Sequence, residues 1–263
     1  MARSTFYHQL KRPAPGGADA LRDAVARVHA QHRGRYGYRR ITAQLQAEGL
    51  AVNAKAVRAR MRALGLAGHC PKRKWRRPKG EASGIAPNVL ARDFAAAAPG
   101  RKWATDVTQY TIRGETGYFS PMIDLFNGEI VAYSLARRPG LALVLSMARR
   151  AFRAARPPAG VIVHSDQGCL YQHRDYRDLL QRHGAVQSMS RRGNCWDNAC
   201  AESLFARMKV ELLRAQEWES LAAFERALAR YVEYYNRDRR RLGGESPARR
   251  RAQYELKNSV KQS

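Results

Sequence analysis

The apolar periodicity of this chain changes near residue 100, and this change limits the folds that the chain can adopt. Before residue 100, apolar residues recur every three or four positions, which predicts short amphipathic helices. We place these helices at residues 18–32, 39–48 and 54–64, with Asn53 as the N-cap of the third. After residue 100, apolar runs alternate with amphipathic segments, which is typical of a sheet with helices packed against it.

The second region begins with three consecutive strand-like segments, after which helices and strands alternate. The predicted strands are 103–112, 118–126, 129–136 and 160–164, and the predicted helices are 141–155, 173–183, 197–215 and 219–236. We therefore predict an α/β fold, a mixed sheet with flanking helices that follows a small all-α module. The sequence contains no run of 18 apolar residues, and its first residues are polar. We therefore expect a cytoplasmic protein.

Basic residues outnumber acidic ones throughout the chain, and most strongly in its first hundred residues. Lys and Arg number 48 against 22 Asp and Glu, which gives a net charge of +26, and residues 1–100 hold 20 basic and 5 acidic residues. This excess predicts a polyanionic partner, because basic side chains neutralise phosphates and release counterions. We interpret the N-terminal module as a DNA-binding helix-turn-helix, although an ordinary basic three-helix bundle would have the same pattern.

Two groups of basic residues are the predicted DNA contacts of this first region. Arg58, Arg60 and Arg62 lie on the third helix, which is the expected recognition helix. The segment 69–100 is basic and then rich in Ala and Pro, which predicts a linker that contacts backbone phosphates. Its candidate phosphate-binding residues are Lys72, Arg73, Lys74, Arg76 and Arg77.

Three acidic residues of the second region are candidates for catalysis. Asp106 lies in the first predicted strand, Asp166 directly follows the strand at 160–164, and Glu202 lies on a helix, with 35 residues between the last two acids. Carboxylates at strand ends and on a helix can converge on two Mg²⁺ ions, which stabilise the attacking and leaving oxygens of a phosphodiester. Taken singly, each acid has the alternative role of a solvated cap or a salt-bridge partner.

The order of several motifs resembles that of a known family. The motifs are WATDVT, IDLFNGEIVAYS, HSDQG, QSMSRRGNCWDNACAESLFARMKVELL and YVEYYN, followed by Leu242-Gly243-Gly244-Glu245-Ser246-Pro247. Over nearly its full length the chain resembles the second-frame product of the insertion-sequence-3 family transposases, members of the DDE retroviral-integrase superfamily. The resemblance places Asp106, Asp166 and Glu202 on the family's DDE triad. It implies a ribonuclease-H-like catalytic domain that uses two divalent ions, Mg²⁺ or Mn²⁺.

We divide the chain into four segments on these grounds. They are a helix-turn-helix module at 1–68, a basic linker at 69–100, a ribonuclease-H-like catalytic domain at 101–250 and a tail at 251–263. The resemblance implies that the partners are DNA, both the element's terminal inverted repeats and the target, and further copies of the chain in a homo-oligomer. It also implies fusion to, or partnership with, a DNA-binding protein from an upstream frame.

Three further residues have predicted supporting roles. In the resembling family the position of Lys209 is basic and contacts the terminal DNA; the alternative is a surface lysine two helical turns after Glu202. Asn198 has two alternatives, to orient Glu202 or to cap its helix. Asp124 is a fourth acid on a central strand, and its alternatives are to assist a metal ion or to serve the sheet only.

Two segments depart from the family pattern. The family's Ser-Arg pair after the hairpin Phe is replaced by Asn127-Gly128-Glu129, and its acidic-aromatic step after Ser-Pro is replaced by Ala248-Arg249-Arg250-Arg251. Neither departure changes the three acids. The predicted function is metal-dependent cleavage of the element's ends followed by strand transfer. The alternatives are a structure-directed DNA endonuclease on the same fold and an inactive, transposase-derived DNA-binding regulator.

Overall fold

The computed structural model describes residues 19–68, 84–240 and 244–259, and the chain separates into two compact units, residues 1–68 and 69–263. Within residues 19–68 the first unit has three helices, α1 (Ala20–Gln31), α2 (Tyr38–Ala47) and α3 (Ala54–Ala63). The side chain of Asn53 accepts a hydrogen bond of 2.8 Å from the backbone N–H of Ala56, so the predicted N-cap is confirmed. The core of this unit is formed by Val25, Val28, Tyr36, Ile41, Leu45, Val57 and Met61.

In the described part of the second unit, six strands form one mixed sheet. They are β1 (Lys102–Thr105), β2 (Thr108–Ile112), β3 (Glu115–Asp124), β4 (Ile130–Ala136), β5 (Ile162–Ser165) and β6 (Val186–Met189). Strand β3 pairs antiparallel with β1, β2 and β4, whereas β5 runs parallel to both β1 and β6. The mixed sheet agrees with the prediction, although β6 was not predicted, because its four residues carry too short a pattern.

The predicted strand at 103–112 is wrong in one respect, since it consists of two strands. Strands β1 and β2 pair with two different stretches of β3 and keep the same register. Thr105 lies opposite Met122, and Thr108 lies opposite Phe119. Between them, the carboxylate of Asp106 accepts a hydrogen bond of 2.7 Å from the backbone N–H of Val107. The register of β1 and β2 sets Asp106 opposite Pro121, which has no backbone N–H to donate to a ladder at this point.

The helices of the second unit follow the predicted order. They are α4 (Leu141–Ala155), α5 (Cys169–Gln172), α6 (Arg174–Arg182), α7 (Ala199–Met208), α8 (Leu221–Arg237) and α9 (Pro247–Ser259). The single helix predicted at 197–215 has three parts, because a 3₁₀ turn (Cys195–Asn198) precedes α7 and a π-helical turn (Lys209–Leu213) follows it. Across the described residues, we find no helix that is both long and apolar enough to cross a bilayer.

Helices pack on both faces of the sheet, and the side chains of β3, which point alternately to the two faces, contact both layers. Phe119 and Ile123 pack with apolar side chains of α7 and α8, such as Phe205 and Phe224. Met122, which points to the opposite face, packs with side chains of α4 and α6. Helices therefore pack on both faces of the sheet, as in α/β proteins generally, whereas Gln109 and Thr111 of β2 stay exposed.

Helix α9 runs from the end of the predicted catalytic domain into the segment predicted as a tail, and it packs on the β3–β4 turn. The side-chain amide of Asn127 donates to the carbonyl of Pro247 at 2.9 Å, and Arg251 donates to the carboxylate of Glu129 at 2.6 Å. The guanidinium of Arg250 lies 5.0 Å from the ring centre of Phe126. The two segments that depart from the family pattern are therefore in contact with each other.

Candidate active site

Asp106 and Asp166 emerge from neighbouring parallel strands at the same edge of the sheet. Strand β1 pairs with β5 so that Ala104 lies opposite His164. If this register is continued by two residues beyond each of these positions, Asp106 lies opposite Asp166, just past the ends of the two strands. Adjacent strands lie only about 4.8 Å apart, so the two carboxylates are close neighbours.

Glu202 lies on the first turn of α7, which packs against β1. The side-chain amide of Asn198, at the start of this helix, donates a hydrogen bond of 3.3 Å to the backbone carbonyl of Thr105. This bond ties the beginning of α7 to the residue that precedes Asp106. Asn198 occupies the N-cap position of α7, but its side chain makes no capping hydrogen bond.

The ionisation of Asp106 is influenced by burial and by neighbouring charges. Its pKa is raised to about 8, first by burial and then by the charge of Asp166, with a smaller contribution from Glu202. The hydrogen bond from Val107 and the positive charge of Lys209 act in the opposite direction. Burial also raises the pKa of Asp166, although the backbone N–H of Gly168, 2.9 Å from its carboxylate, opposes the shift.

A cavity of about 690 Å³ opens beside the two aspartates. Its lining residues include Asp106, Asp166 and the buried Tyr171, together with the basic residues Lys209 and Arg214. Glu202 is solvent-exposed and is not among the lining residues, although its charge acts on Asp106. The cavity therefore combines carboxylates with basic side chains, which is a suitable environment for a cation and a phosphate together.

The donor set fits a hard cation, but it does not form a closed cage. Among the described residues, no three His, Cys, Asp or Glu side chains come close enough together to hold a metal ion. However, Asp106 and Asp166 are neighbours, and the repulsion between them raises the pKa of Asp106. A divalent cation would offset this repulsion, and carboxylate oxygens are the ligands that Mg²⁺ prefers.

Comparison with known proteins identifies the family. Two models of an integrase core domain match residues 96–195 and 183–247, and a model of an HTH-like domain matches residues 17–74. The chain is 42% identical over 235 residues to transposase InsK for insertion sequence element IS150 of Escherichia coli K12, covering 89% of this chain and 83% of that protein. The chain belongs to the insertion-sequence-3 family of transposases. Transposase InsF for insertion sequence IS3A of the same organism is 36% identical over 231 residues, covering 85% and 78% of the two chains.

A solved structure supports the fold of this transposase. A chain of the simian T-cell lymphotropic virus intasome in complex with PP2A regulatory subunit B56 gamma matches with a TM-score of 0.54 and 12% identity, covering 86% of this chain and 74% of that chain. The predicted family and fold class are thereby confirmed: an integrase core with a mixed sheet and flanking helices, together with an N-terminal HTH-like domain.

Asp124 of the transposase lies apart from the other acids and is occupied by structural contacts. It pairs with Trp103, three residues before Asp106 on β1, which places it about 10 Å further back along the strand. Its carboxylate accepts hydrogen bonds from the backbone N–H groups of Gly100 at 2.7 Å and Phe126 at 2.9 Å, and lies 3.5 Å from Arg251. These contacts favour its structural interpretation.

Asp197, which no sequence pattern singles out, organises the segment before Glu202. Its buried carboxylate accepts hydrogen bonds from the backbone and side chain of Arg191, at 2.9–3.0 Å, and from Arg92 at 2.7 Å and Asn88 at 3.0 Å. These contacts, above all those from Arg191, hold the pKa of Asp197 well below its usual range. No local pattern marks this role, since Arg92 and Asn88 are more than a hundred residues away.

The predicted DNA-contacting residues differ in their exposure and in the groups around them. On α3, Arg58 and Arg62 are exposed, whereas Arg60 forms an ion pair of 2.9 Å with Asp19. Lys209 lines the cavity beside the acids, together with Arg214, which the sequence analysis did not single out. The linker residues Lys72, Arg73, Lys74, Arg76 and Arg77 lie outside the described residues.

Proposed function

We propose that this transposase cuts the ends of its element and joins them to other DNA at a site formed by Asp106, Asp166 and Glu202. The observation that carries the proposal is the register of β1 and β5, which sets the two aspartates side by side at the cavity that Lys209 also lines. Neighbouring carboxylates suit Mg²⁺ or Mn²⁺, and the basic side chain suits a DNA phosphate.

The proposed reaction is a pair of phosphodiester displacements. Water attacks a phosphodiester at the element's end and breaks its P–O3′ bond, which leaves a 5′-phosphate on one strand end and a 3′-hydroxyl on the other. That 3′-hydroxyl then attacks a second phosphodiester, forms a new P–O bond and displaces the 3′-oxygen of the attacked strand, which leaves as a hydroxyl. Asp106, Asp166 and Glu202 would hold the divalent ions, which when bound would stabilise the charge on the attacking and leaving oxygens. The same site serves both steps, because the two displacements have the same chemistry with the roles of the oxygens exchanged.

The protein's own residues prepare the site for this reaction. The amide of Asn198 fixes the start of α7 against Thr105 and so sets where Glu202 stands relative to Asp106. Lys209 and Arg214 provide positive charge for the phosphate that enters the cavity. The buried Tyr171, whose hydroxyl lies 3.4 Å from that of Thr105, lines the cavity together with the two aspartates.

The DNA partners follow from the same proposal. The HTH-like domain, with Arg58 and Arg62 exposed on α3, is proposed to recognise the terminal inverted repeats, and the integrase core is proposed to act on both terminal and target DNA. A homo-oligomer is proposed because two ends have to be held together. Partnership with an upstream-frame protein stays a prediction of the family resemblance.

A strand-transfer assay tests the proposal. The full chain is incubated with Mg²⁺ and duplexes that carry the element's terminal repeats, and the products are resolved on denaturing gels that detect both nicking and joining. Wild-type protein should yield both products, and Asp166→Asn should yield neither. Asp178→Asn is the matched control, because Asp178 lies on α6, where it forms an ion pair with Arg174 of the same helix.

Other outcomes of this assay would support the alternatives. Nicking without joining would indicate an endonuclease on the same fold. Specific DNA binding by a wild-type protein that neither nicks nor joins would indicate a regulator.

A further inference from the structure

A buried ion pair lies directly behind the cavity, on the π-helical turn that begins at Lys209. Glu211 is 3% exposed and Arg239 is 2% exposed. Two nitrogens of Arg239 donate to the two carboxylate oxygens of Glu211, at 2.7 and 2.5 Å, and the hydroxyl of Tyr231 donates to one of them at 3.0 Å. Both negative oxygens of Glu211 are therefore bound by groups that belong to α8 or directly follow it.

The π-helical turn has two sides with different partners. Glu211 faces α8, whereas Lys209, Leu213 and the next residue, Arg214, line the cavity beside Asp106 and Asp166. A contact that fixes Glu211 also fixes the direction of the basic side chains on the other side of the same turn.

Net stability is a weak explanation for this ion pair. Burying two charges costs several kcal/mol of desolvation free energy, and well-packed apolar residues often serve stability as well or better. A bidentate contact between a guanidinium and a carboxylate is, however, strongly directional. Single π-helical turns are rare in proteins and concentrate at functional sites.

We propose that Glu211 and Arg239 are positioning residues, which hold the π-helical turn in the register that directs Lys209 and Arg214 toward a DNA phosphate in the cavity. The inference rests on the proposed function only in taking DNA as the occupant of the cavity. Without the pair, the turn relaxes toward a regular α-helix. A shift of one residue rotates helical side chains by about 100°, which moves the basic groups away from the cavity.

The test is DNA binding in EDTA, with the full chain and duplexes that carry the terminal repeats, measured over a range of salt concentrations. The key variant is Glu211→Leu/Arg239→Met, which removes both charges together and leaves neither unpaired. We expect it to melt close to the wild type but to bind DNA more weakly. When the logarithm of the binding constant is plotted against the logarithm of the salt concentration, the slope of the variant should be less steep. The difference should be about 0.9 for each phosphate that the variant no longer neutralises.

Coupling to the basic residues separates positioning from a general structural role. Lys209→Ala/Arg214→Ala should weaken binding by a similar factor, and the two pairs of substitutions combined should weaken it little further. Glu233→Gln is the matched control, because Glu233 forms an exposed ion pair with Arg237 on α8 itself. This control should bind DNA as the wild type does.

Two results would overturn the inference. One is wild-type affinity and salt slope in Glu211→Leu/Arg239→Met, and the other is full additivity with the Lys209 and Arg214 substitutions. If the apolar pair does not fold, Glu211→Gln keeps the shape of the side chain and is tested for the same coupling. Because these measurements contain no divalent metal, a failure of the proposed strand transfer leaves their outcome unaffected, and the two proposals can fail separately.

Discussion

The side-chain amide of Asn198 donates a hydrogen bond to the backbone carbonyl of Thr105, across 3.3 Å and 93 residues of sequence. Thr105 is the last residue of β1 and directly precedes Asp106, and Asn198 precedes Glu202 by four residues on the turn that leads into α7. This one contact therefore connects two elements that each carry a candidate catalytic acid.

Asn198→Ala is expected to reduce strand cleavage much more than it reduces stability. Loss of one neutral hydrogen bond costs about 1 kcal/mol of stability, whereas a displacement of about 1 Å between catalytic groups can cost about a hundredfold in rate. Cleavage rates at saturating DNA and thermal melting curves measure the two effects. Ser203→Ala, on the same helix, is the control, and an unchanged cleavage rate in Asn198→Ala would contradict the role given to this amide.

The stability of the metal-free protein should fall as pH rises from about 4 to about 8. The pKa of Asp106 is about 8 in the folded state and near 3.8 when unfolded, so between these values the folded state holds a proton that the unfolded state has lost. The slope from this group is at most about 1.4 kcal/mol per pH unit. Urea unfolding in EDTA at several pH values measures it. The difference between wild type and Asp106→Asn isolates this residue, and a difference that does not vary with pH would refute the assignment.

The proposed metal site predicts that Mg²⁺ stabilises the wild-type protein, because an ion between Asp106 and Asp166 would offset their repulsion in the folded state. At a concentration one hundred times its dissociation constant, a ligand of the folded state adds about 2.7 kcal/mol to the free energy of unfolding. Melting curves with MgCl₂ are compared with curves in KCl of equal ionic strength. Asp166→Asn should lose the Mg²⁺-specific increase, and an equal increase in both proteins would exclude this carboxylate as a ligand.

Asp197→Ala should destabilise the catalytic unit and disorder the segment before Glu202. The substitution leaves the donors of Asn88, Arg92 and Arg191 without their shared buried acceptor. Charge-assisted hydrogen bonds contribute about 1.5–3 kcal/mol each, and the partly exposed arginines recover water, so we expect a total loss of about 2–3 kcal/mol. Chemical denaturation measures the loss, with Glu233→Ala as an exposed control that should change stability by less than about 0.5 kcal/mol.

Asn53→Ala should weaken the helix-turn-helix module while leaving the catalytic unit unchanged. The substitution removes the 2.8 Å hydrogen bond that caps α3, and loss of such a cap costs about 1 kcal/mol. Hydrogen exchange should show faster opening of α3, and binding to the terminal repeats should weaken. Asn53→Ser, which retains a capping oxygen, should restore most of the protection. Equal exchange rates in wild type and Asn53→Ala would show that the cap is not needed.

Local signals in the sequence predicted much of the secondary structure. The capping role of Asn53 and the helix at 141–155 were both visible in the sequence, because a helix and its cap are formed by groups within a few residues of each other. The acids Asp106 and Asp166 could also be singled out, since each stands at the end of an apolar run. Their assignment to a catalytic site stays a prediction.

The sequence by itself determined the mixed sheet, its flanking helices and the family, whose motifs are contiguous stretches of residues. Only the tertiary structure decided that Asp106 interrupts a strand, that Asp197 gathers Asn88 and Arg92, and that Glu211 is bound by Arg239. The physical reason is range: backbone hydrogen bonds of a helix repeat at a fixed short spacing and leave a pattern. The partner of a buried charge is set by strand register and helix packing between segments that can be a hundred residues apart.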